Sequence, residues 1–233
     1  MAEAWSVPPI WAGETVFCIA SGPSLTHVDL SCLDDPDRPG RVIVVNDNYL
    51  RCPSADILYF CDHKWWRWHT SRPELRNAFA GFRGLKVTLD KRVAEQDRKI
   101  KWLQDGGWNP GQGVVGLDAR PTHLRNGRNS GFQALHLAVH LGARRIVLLG
   151  YDMKVGLGGE EHWFGSHRDE TGRARKTAPG AIASWARHFE SLVEPLKARG
   201  VEVLNAAPGS AIGCFPRVEL AAVLREVLDH GPV

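Results

Sequence analysis

Short runs of β-branched and aliphatic residues alternate along this chain with segments whose apolar residues repeat at helical spacing. The first runs span residues 15–20, 41–46 and 56–61, and a weaker run spans 85–89. Such alternation is typical of parallel strands joined by crossover helices. The pattern therefore predicts an α/β fold of the Rossmann-like type, with helices on both faces of a mostly parallel sheet.

The second half of the chain contains the clearest helix–strand unit. Ser130 begins an apolar-periodic helix, Gly142 ends it, and a strand at 145–149 follows. Further elements continue the alternation: a helix that ends at Gly200, a strand at 201–204 and a helix at about 217–228. The sequence contains no internal repeat and no linker, so residues 1–233 are expected to form a single domain.

Small or polar residues follow each of five predicted strands. They are Ser21 and Gly22, Asn46 and Asp47, Asp62 and His63, Tyr151 and Asp152, and Asn205. In open α/β sheets, ligands bind in the crevice beyond the carboxyl ends of the strands, and right-handed crossovers bring those ends to one edge. We therefore expect these side chains to line one ligand-binding crevice.

Two short segments are candidate anion sites. After the first strand, Gly22 allows close backbone approach, Pro23 stiffens the turn and Ser24 offers a hydroxyl, which suits a phosphate; a plain strand-to-helix turn explains the same residues. The second segment opens the helix at 130 and consists of Arg128, Asn129, Ser130 and Gly131. It suits an anion or a carboxylate, and it also suits simple N-capping.

A polar, glycine-rich stretch at about 154–180 is too long for an ordinary connection. It predicts a lid or a substrate loop. His162 and His167 lie in it, and either histidine is a candidate general base because its ordinary pKa is near neutrality. A metal pair would need a third ligand that the sequence does not supply, and solvated loop histidines remain an alternative.

Composition narrows the class of ligand. The chain has 43% hydrophobic and 24% charged residues, and its formal net charge is only +3. This charge is compatible with an anionic small molecule but too small to indicate a nucleic-acid binder. No stretch is apolar enough to span a membrane, and the N-terminus lacks a secretory pattern, so a cytoplasmic protein is expected.

The cysteines, tryptophans and histidines give weaker indications of function. The five cysteines form no C-x-x-C pair, which favours reduced thiols. Trp65, Trp66 and Trp68 could stack on sugar rings or bases, or belong to a core or interface. His136 and His140 lie four residues apart on one predicted helix, where burial is a better explanation than metal binding.

A family resemblance rests on motifs that occur in one order along almost the whole chain. Residues 19–25 (IASGPSL) resemble the first-strand motif of the bacterial sialyltransferases of glycosyltransferase family 42, and related proteins of domain-of-unknown-function family 115 and the motility-accessory type share it. Further similar motifs are VND at 45–47, NSG at 129–131, IVLLGYD at 146–152, HWFGSH at 162–167 and NAAPGS at 205–210. Small phage proteins of unknown function are similar too.

The resemblance implies a GT-A-like nucleotide-binding domain and metal-independent transfer of a sugar from a cytidine monophosphate (CMP) donor to an unknown glycan or other hydroxyl acceptor. It implies that His167, or His162 if the loop aligns differently, is the general base. The expected nucleotide or donor-binding residues are Ser21, Gly22, Pro23, Ser24, Asn46, Asp47, Asp62, Arg128, Asn129, Ser130, Gly131, Tyr151, Asp152 and Lys154. No metal ligand is expected.

Two alternatives use the same fold. One is a phosphotransferase similar to pterin pyrophosphokinases, which would need Mg²⁺ held by Asp62 or Asp152. The other is a non-catalytic binding or assembly protein of the phage type. A homo-oligomer is compatible with all three hypotheses.

Overall fold

The computed structural model describes residues 2–168, 173–178 and 180–230. Within that part of the chain, seven parallel strands form one sheet in the order β11-β8-β1-β2-β3-β4-β5. The strands of this sheet are β1 (Thr15–Ile19), β2 (Arg41–Val45), β3 (Ile57–Phe60), β4 (Leu85–Thr88), β5 (Lys101–Trp102), β8 (Arg145–Leu149) and β11 (Glu202–Asn205). Two short ribbons pair β6 (Gln104–Asp105) with β7 (His123–Leu124), and β9 (His167–Arg168) with β10 (Ala174–Arg175).

The strand order reverses at β1. From β1 the chain runs outward through β2, β3 and β4 to β5, and it then returns to the opposite side of β1 to form β8 and β11. Ligand crevices in open parallel sheets lie at such a reversal, beyond the carboxyl ends of the strands. The topology therefore directs attention to the residues that follow β1, β2, β3 and β8.

Both faces of the sheet are covered. In β1, Cys18 belongs to the hydrophobic cluster on one face, whereas its neighbours Phe17 and Ile19 belong to the cluster on the other face. All five residues of β1 are buried. Such burial on both sides explains why the strand has a continuous apolar run rather than an alternating one.

Seven α-helices occur in the described residues. They are α1 (His63–Ser71), α2 (Pro73–Gly81), α3 (Lys91–Gln96), α4 (Ser130–His140), α5 (Ala181–His188), α6 (Val193–Ala198) and α7 (Leu220–His230). Helix α4 is the most buried and packs on β1, β2 and β3. Because it leads into the parallel strand β8, its first residue lies at the same edge of the sheet as the carboxyl ends of the strands.

The predicted α/β fold class is confirmed, and the predicted strands occur within one or two residues of their expected positions. The short edge strand β5 and the helices α1–α3 were not predicted. The last helix begins at Leu220 instead of 217, because Arg217 forms a bridge with Asn205. No helix of the described residues is both long and apolar enough to cross a membrane.

Candidate active site at the carboxyl edge of the sheet

A cavity of about 790 Å³ opens at the carboxyl edge of the sheet. Its wall combines residues from several distant segments of the chain. Of the residues that the sequence predicts for the site, those lining the cavity are Ser21, Gly22, Asn46, Asp47, Asp62, Arg128, Asn129, Ser130, Gly131, Asp152, Lys154, His162 and His167. The predicted convergence is thus present for the residues that follow β1, β2, β3 and β8, but not for Asn205 at the end of β11, whose buried side chain bonds to the backbone of Ala207 and Ile212 instead.

The loops after β1 and β8 meet with almost no space between them. A Cβ atom on Gly22 would lie 2.5 Å from the carbonyl oxygen of Gly150 and still closer to Oδ2 of Asp152. The backbone N–H of Gly22 donates to the carbonyl of Gly150 at 2.8 Å. Glycine at position 22 is therefore required by this close approach of two backbones.

Asp152 fastens the loop that follows β1. Its Oδ1 accepts from the backbone N–H of Ser24 (3.0 Å) and its Oδ2 accepts from the Ser24 hydroxyl (2.7 Å). Burial raises the pKa of Asp152, and the two hydrogen bonds from Ser24 and the charge of Lys154 offset this only in part. This carboxylate has a structural partner within the protein.

The loop after β2 is held by Asn48. Its side-chain amide donates to the carbonyls of Ile19 (3.2 Å) and Val45 (2.8 Å) and to the hydroxyl of Ser21 (3.0 Å). Its Oδ1 accepts from the indole N–H of Trp163 (2.9 Å). Asn48 thereby joins the ends of β1 and β2 to the segment that carries the two candidate histidines.

Asp47 lies beside three ring nitrogens. The indole Nε1 of Trp65 donates to its Oδ2 at 2.9 Å. Nε2 of His69 lies 3.3 Å from Oδ1, and Nδ1 of His167 lies 3.7 Å from Oδ2. Burial acts to raise the pKa of Asp47, but His69, His167 and Trp65 together outweigh it and hold that pKa below its usual value.

The histidine-bearing segment forms a tight turn. His162 and Gly165 exchange two backbone hydrogen bonds, of 3.0 and 2.9 Å, and the backbone N–H of Trp163 donates to the carbonyl of Ser21 at 3.0 Å. The His162 ring stacks on Phe164 and lies 4.3 Å from the His167 ring, centroid to centroid. Burial and the neighbouring His167 lower the pKa of His162 to about 3.

The start of α4 contributes the opposite wall. The side chain of Asn129 accepts from the backbone N–H of Phe132 (2.8 Å), so Asn129 is the N-cap. The hydroxyl of Ser130 lies 3.2 Å from the Cys61 thiol. Arg128 has a left-handed backbone (φ 59°) and an exposed side chain. Burial raises the pKa of the Cys61 thiol to about 11, so this cysteine remains a thiol.

Five predicted residues do not line the cavity: Pro23, Ser24, His63, Tyr151 and Asn205. The Tyr151 ring is fully buried, and its hydroxyl donates to the carbonyl of Gly131 at 3.0 Å. Tyr151 and Ser24 therefore support the site from behind. Asp62 lines the cavity and also caps α1, since its Oδ1 accepts from the backbone N–H of Lys64 (2.8 Å).

The cavity also has an apolar wall that the sequence analysis did not assign. Trp68 and Leu75 belong to the hairpin of α1 and α2, and Ile182 and Trp185 belong to α5. The tryptophan-rich run at 65–68 signalled part of this wall. Asn48 and His69, which organise the site, could not be found from spacing, because each acts through a partner distant in the chain.

In the described ranges, no group of three or more His, Cys, Asp or Glu side chains is arranged so that it could hold a metal ion. His136 is fully buried, its Nδ1 accepts from the backbone N–H of Arg125 (3.0 Å), and its Nε2 lies 3.1 Å from the carbonyl of Asp118. Burial and the neighbouring His140 lower the pKa of His136 to about 3. Both ring nitrogens of His136 thus have backbone partners.

No protein-family model and no curated protein matches this chain. Among solved structures, it is similar to the sialyltransferase CstII from Campylobacter jejuni in complex with the substrate analogue cytidine-5'-monophosphate, with a TM-score of 0.53 and 12% identity over 89% of this chain and 85% of that chain. The complex of CstII with CMP-3FNeuAc gives a TM-score of 0.49 and 13% identity over 88% and 84%. A likeness at this identity concerns the fold, and the chain therefore has a sialyltransferase-like α/β fold.

Proposed function

We propose that this protein is a glycosyltransferase that moves a sugar from a nucleotide-activated donor, with CMP as the nucleotide, to a hydroxyl acceptor. The observation that carries the proposal is the convergence on one cavity of the strand-end residues, the start of α4 and His167. Cavities of several hundred Å³ with a few polar groups are typical of small-molecule sites.

The donor half of the site would lie between the β1 loop and the start of α4. The β1 loop, which Gly22 lets pack closely against Gly150 and Asp152, lies on one side, and the first turn of α4 presents N–H groups and a positive helix end on the other. The exposed Arg128 and Lys154 add positive charge at the rim. These groups would stabilise the negative charge that the departing nucleotide gains as its bond to the sugar breaks.

His167 is the better of the two candidate bases. A general base works best when its pKa lies near the working pH. The pKa of His162, lowered to about 3, makes that ring a weak base and leaves it uncharged near neutrality. His167 would accept the proton of the acceptor hydroxyl as that oxygen attacks the anomeric carbon of the donor.

The apolar wall of Trp68, Leu75, Ile182 and Trp185 would receive the acceptor. Tryptophan and aliphatic side chains offer flat surfaces on which the C–H faces of sugar rings pack. His162 and Phe164, from the segment at 154–180 that is predicted as a lid or substrate loop, line the same cavity, whereas residues 169–172 and 179 of that segment lie outside the described ranges.

The decisive experiment combines binding with turnover. We expect CMP to raise the melting temperature of the purified protein more than uridine or guanosine monophosphate does, and a CMP-sugar to be consumed in the presence of an acceptor glycan. His167→Ala should lower kcat by about 10²–10⁴-fold, since this is the usual contribution of a positioned base. His27→Ala, on an exposed histidine that does not line the cavity, is the matched control.

Two outcomes would replace this proposal by its rivals. Phosphoryl transfer from a nucleoside triphosphate that is abolished by a chelator and restored by Mg²⁺ would indicate the phosphotransferase. No thermal shift with any nucleotide or nucleotide-sugar would indicate a non-catalytic protein. Full transfer activity in His167→Ala would remove the assigned base.

A further inference from the structure

Asp47 is held in place from inside the protein and faces His167 at the cavity. One of its oxygens accepts from the buried indole of Trp65, and the other faces the buried ring of His69. From this arrangement we infer that Asp47 is a positioning residue for His167, and that the buried pair His69–Tyr49 fixes Asp47 in turn. This inference rests on the proposed role of His167, and it assigns Asp47 to the base rather than to the donor.

The inner side of the network is rigid. The rings of Trp65 and His69 stack with their centroids 3.9 Å apart, and both residues belong to α1. Trp65 also packs on Phe60 at the end of β3. Neither ring can turn without opening this packing, so the two N–H groups that face Asp47 keep their positions.

The Tyr49 hydroxyl determines which nitrogen of His69 carries a proton. It lies 2.7 Å from Nδ1 of His69. Burial and the charge of Asp47 raise the pKa of Tyr49 well above its usual value, so the hydroxyl keeps its proton and can donate it to Nδ1. The proton of a neutral His69 ring then lies on Nε2, which makes no hydrogen bond in the described part of the chain and has Oδ1 of Asp47 as its charged neighbour at 3.3 Å.

The outer side of the network faces the cavity. Nδ1 of His167 lies 3.7 Å from Oδ2 of Asp47, and the His167 side chain is about one-third exposed. The negative charge of Asp47 favours a proton on the nearer nitrogen, Nδ1, and the lone pair of the neutral ring then lies on Nε2, the nitrogen that would accept the proton of the acceptor hydroxyl. The titratable groups that the described residues bring against His167 include Asp47 and His162, and His162 is uncharged near neutrality.

Charge balance follows from this geometry. When His167 takes up the acceptor proton, the imidazolium forms beside an anionic carboxylate, and an opposite charge within about 4–6 Å favours the charged form of a histidine. The local backbone also helps to place Asp47. Asn46, directly before it, has a left-handed conformation (φ 52°). This turn directs the Asp47 side chain toward α1 and the histidine segment.

The test measures the titration of His167 by NMR in the wild type, in Asp47→Asn and in Asp37→Asn. Asparagine keeps an oxygen for the Trp65 indole, removes the charge and places an amide nitrogen, which donates and does not accept, beside Nε2 of His69. We expect the midpoint of His167 to fall by about one pH unit or more in Asp47→Asn. Asp37→Asn removes one exposed carboxylate far from the cavity and should leave the midpoint unchanged.

Kinetics provide the second readout. In Asp47→Asn, kcat should fall between about tenfold and 10⁴-fold, the range from a weakened base to a base in the wrong tautomer. The acid limb of the kcat/KM profile should move to lower pH, whereas KM for the donor should change little. A merely structural role would lower activity without moving that limb.

A milder variant keeps the inference testable if Asp47→Asn does not fold. Tyr49→Phe removes only the hydroxyl that faces His69, and the His167 midpoint should move in the same direction by a smaller amount. An unchanged midpoint in the folded variant, whichever is used, overturns the inference. The titration needs no substrate, so a wild-type protein without transfer activity would refute the proposed function and leave this test intact.

Discussion

Asp47 and Asp152 both follow strands of one sheet, both are mostly buried and both line one cavity, yet their pKa values move in opposite directions. Asp152 has the backbone and the hydroxyl of Ser24 as partners, and its pKa is raised. Asp47 has two histidines and an indole, and its pKa is lowered. Burial alone therefore does not decide the charge of a strand-end carboxylate.

The opposite pKa shifts indicate different roles for the two aspartates: Asp152 fixes a loop, whereas Asp47 is the residue inferred to position His167. Neutral donors hold Asp152 in place but compensate its charge only in part, which suits a group that closes the β1 loop. Rings that can carry a proton compensate the charge of Asp47 and make its state depend on theirs. Three experiments test this contrast, beginning with the largest expected effect.

The first prediction concerns a substitution that disrupts the contact between the β1 loop and Asp152. Gly22→Ala places a Cβ atom against both Asp152 and the Gly150 carbonyl, neither of which can withdraw without losing hydrogen bonds. We expect the free energy of unfolding to fall by about 3 kcal/mol, the upper part of the usual range for overpacking. Urea unfolding measures the loss.

Gly81→Ala is the matched control for this substitution. Gly81 is the last residue of α2, and a Cβ atom there meets no other atom within 4 Å. The control should be neutral or slightly stabilising. If Gly22→Ala proved as stable as Gly81→Ala, the two loops would not approach each other as the structure shows.

The second prediction compares the two carboxylates by pH. Because the pKa of Asp47 is lowered in the folded protein, the stability it contributes is present above the unfolded pKa of about 4 and is lost as the pH falls through the folded pKa. Because the pKa of Asp152 is raised, its contribution is fully present below about pH 4 and is lost as the pH rises through the folded pKa.

Urea unfolding of Asp47→Asn and Asp152→Asn between pH 3 and 7 should therefore show opposite trends. At pH 7, Asp47→Asn should cost about 1–3 kcal/mol, the usual contribution of a hydrogen bond to a charged group, and its deficit should shrink on acidification. The deficit of Asp152→Asn should be smaller at pH 7 and should grow on acidification. Parallel trends in the two variants would contradict the assigned environments.

The third and smallest prediction concerns Trp163, which connects the two regions through Asn48. Trp163→Phe removes the indole N–H that donates to Asn48 and keeps the backbone bond to Ser21. We expect a loss of about 1 kcal/mol and faster amide hydrogen exchange at residues 162–165. Trp66→Phe is the control, because it makes the same change in ring size at a buried indole N–H that has no hydrogen-bond partner in the described part of the chain. Its loss of unfolding free energy should be smaller than that of Trp163→Phe.

Much of the fold could be predicted from the sequence, because strands buried on both faces have unmistakable apolar runs. Residues 41–46 and 145–149 are examples, and the polar residues that follow them were expected at one edge. The strand β5 has only two residues, Lys101 and Trp102, and its pairing with β4 depends on tertiary contact. Such a short strand has no periodicity by which it could be recognised.

The candidate site was predictable in position but not in the partners of its residues. Strand-end spacing brought Asp47 and Asp152 to one crevice, yet nothing local distinguishes their environments. One partner of Asp47 is His69, which lies on α1 beyond the next strand, β3. The partner of Asp152 is Ser24, which lies 128 residues earlier in the chain. Tyr151 was expected at the ligand because it follows the strand at 145–149, but its side chain is fully buried in the core.

The bare backbone between Gly22 and Gly150 restricts how this site can be redesigned. A Cβ atom on Gly150 would collide with the carbonyl of Ala20, just as one on Gly22 would collide with Gly150. Selection acting on ligand preference therefore has no side chain to vary at these two positions of the cavity lining. A switch to a different nucleotide or sugar would have to come from the surrounding walls, where Arg128 and Trp185 have room to change.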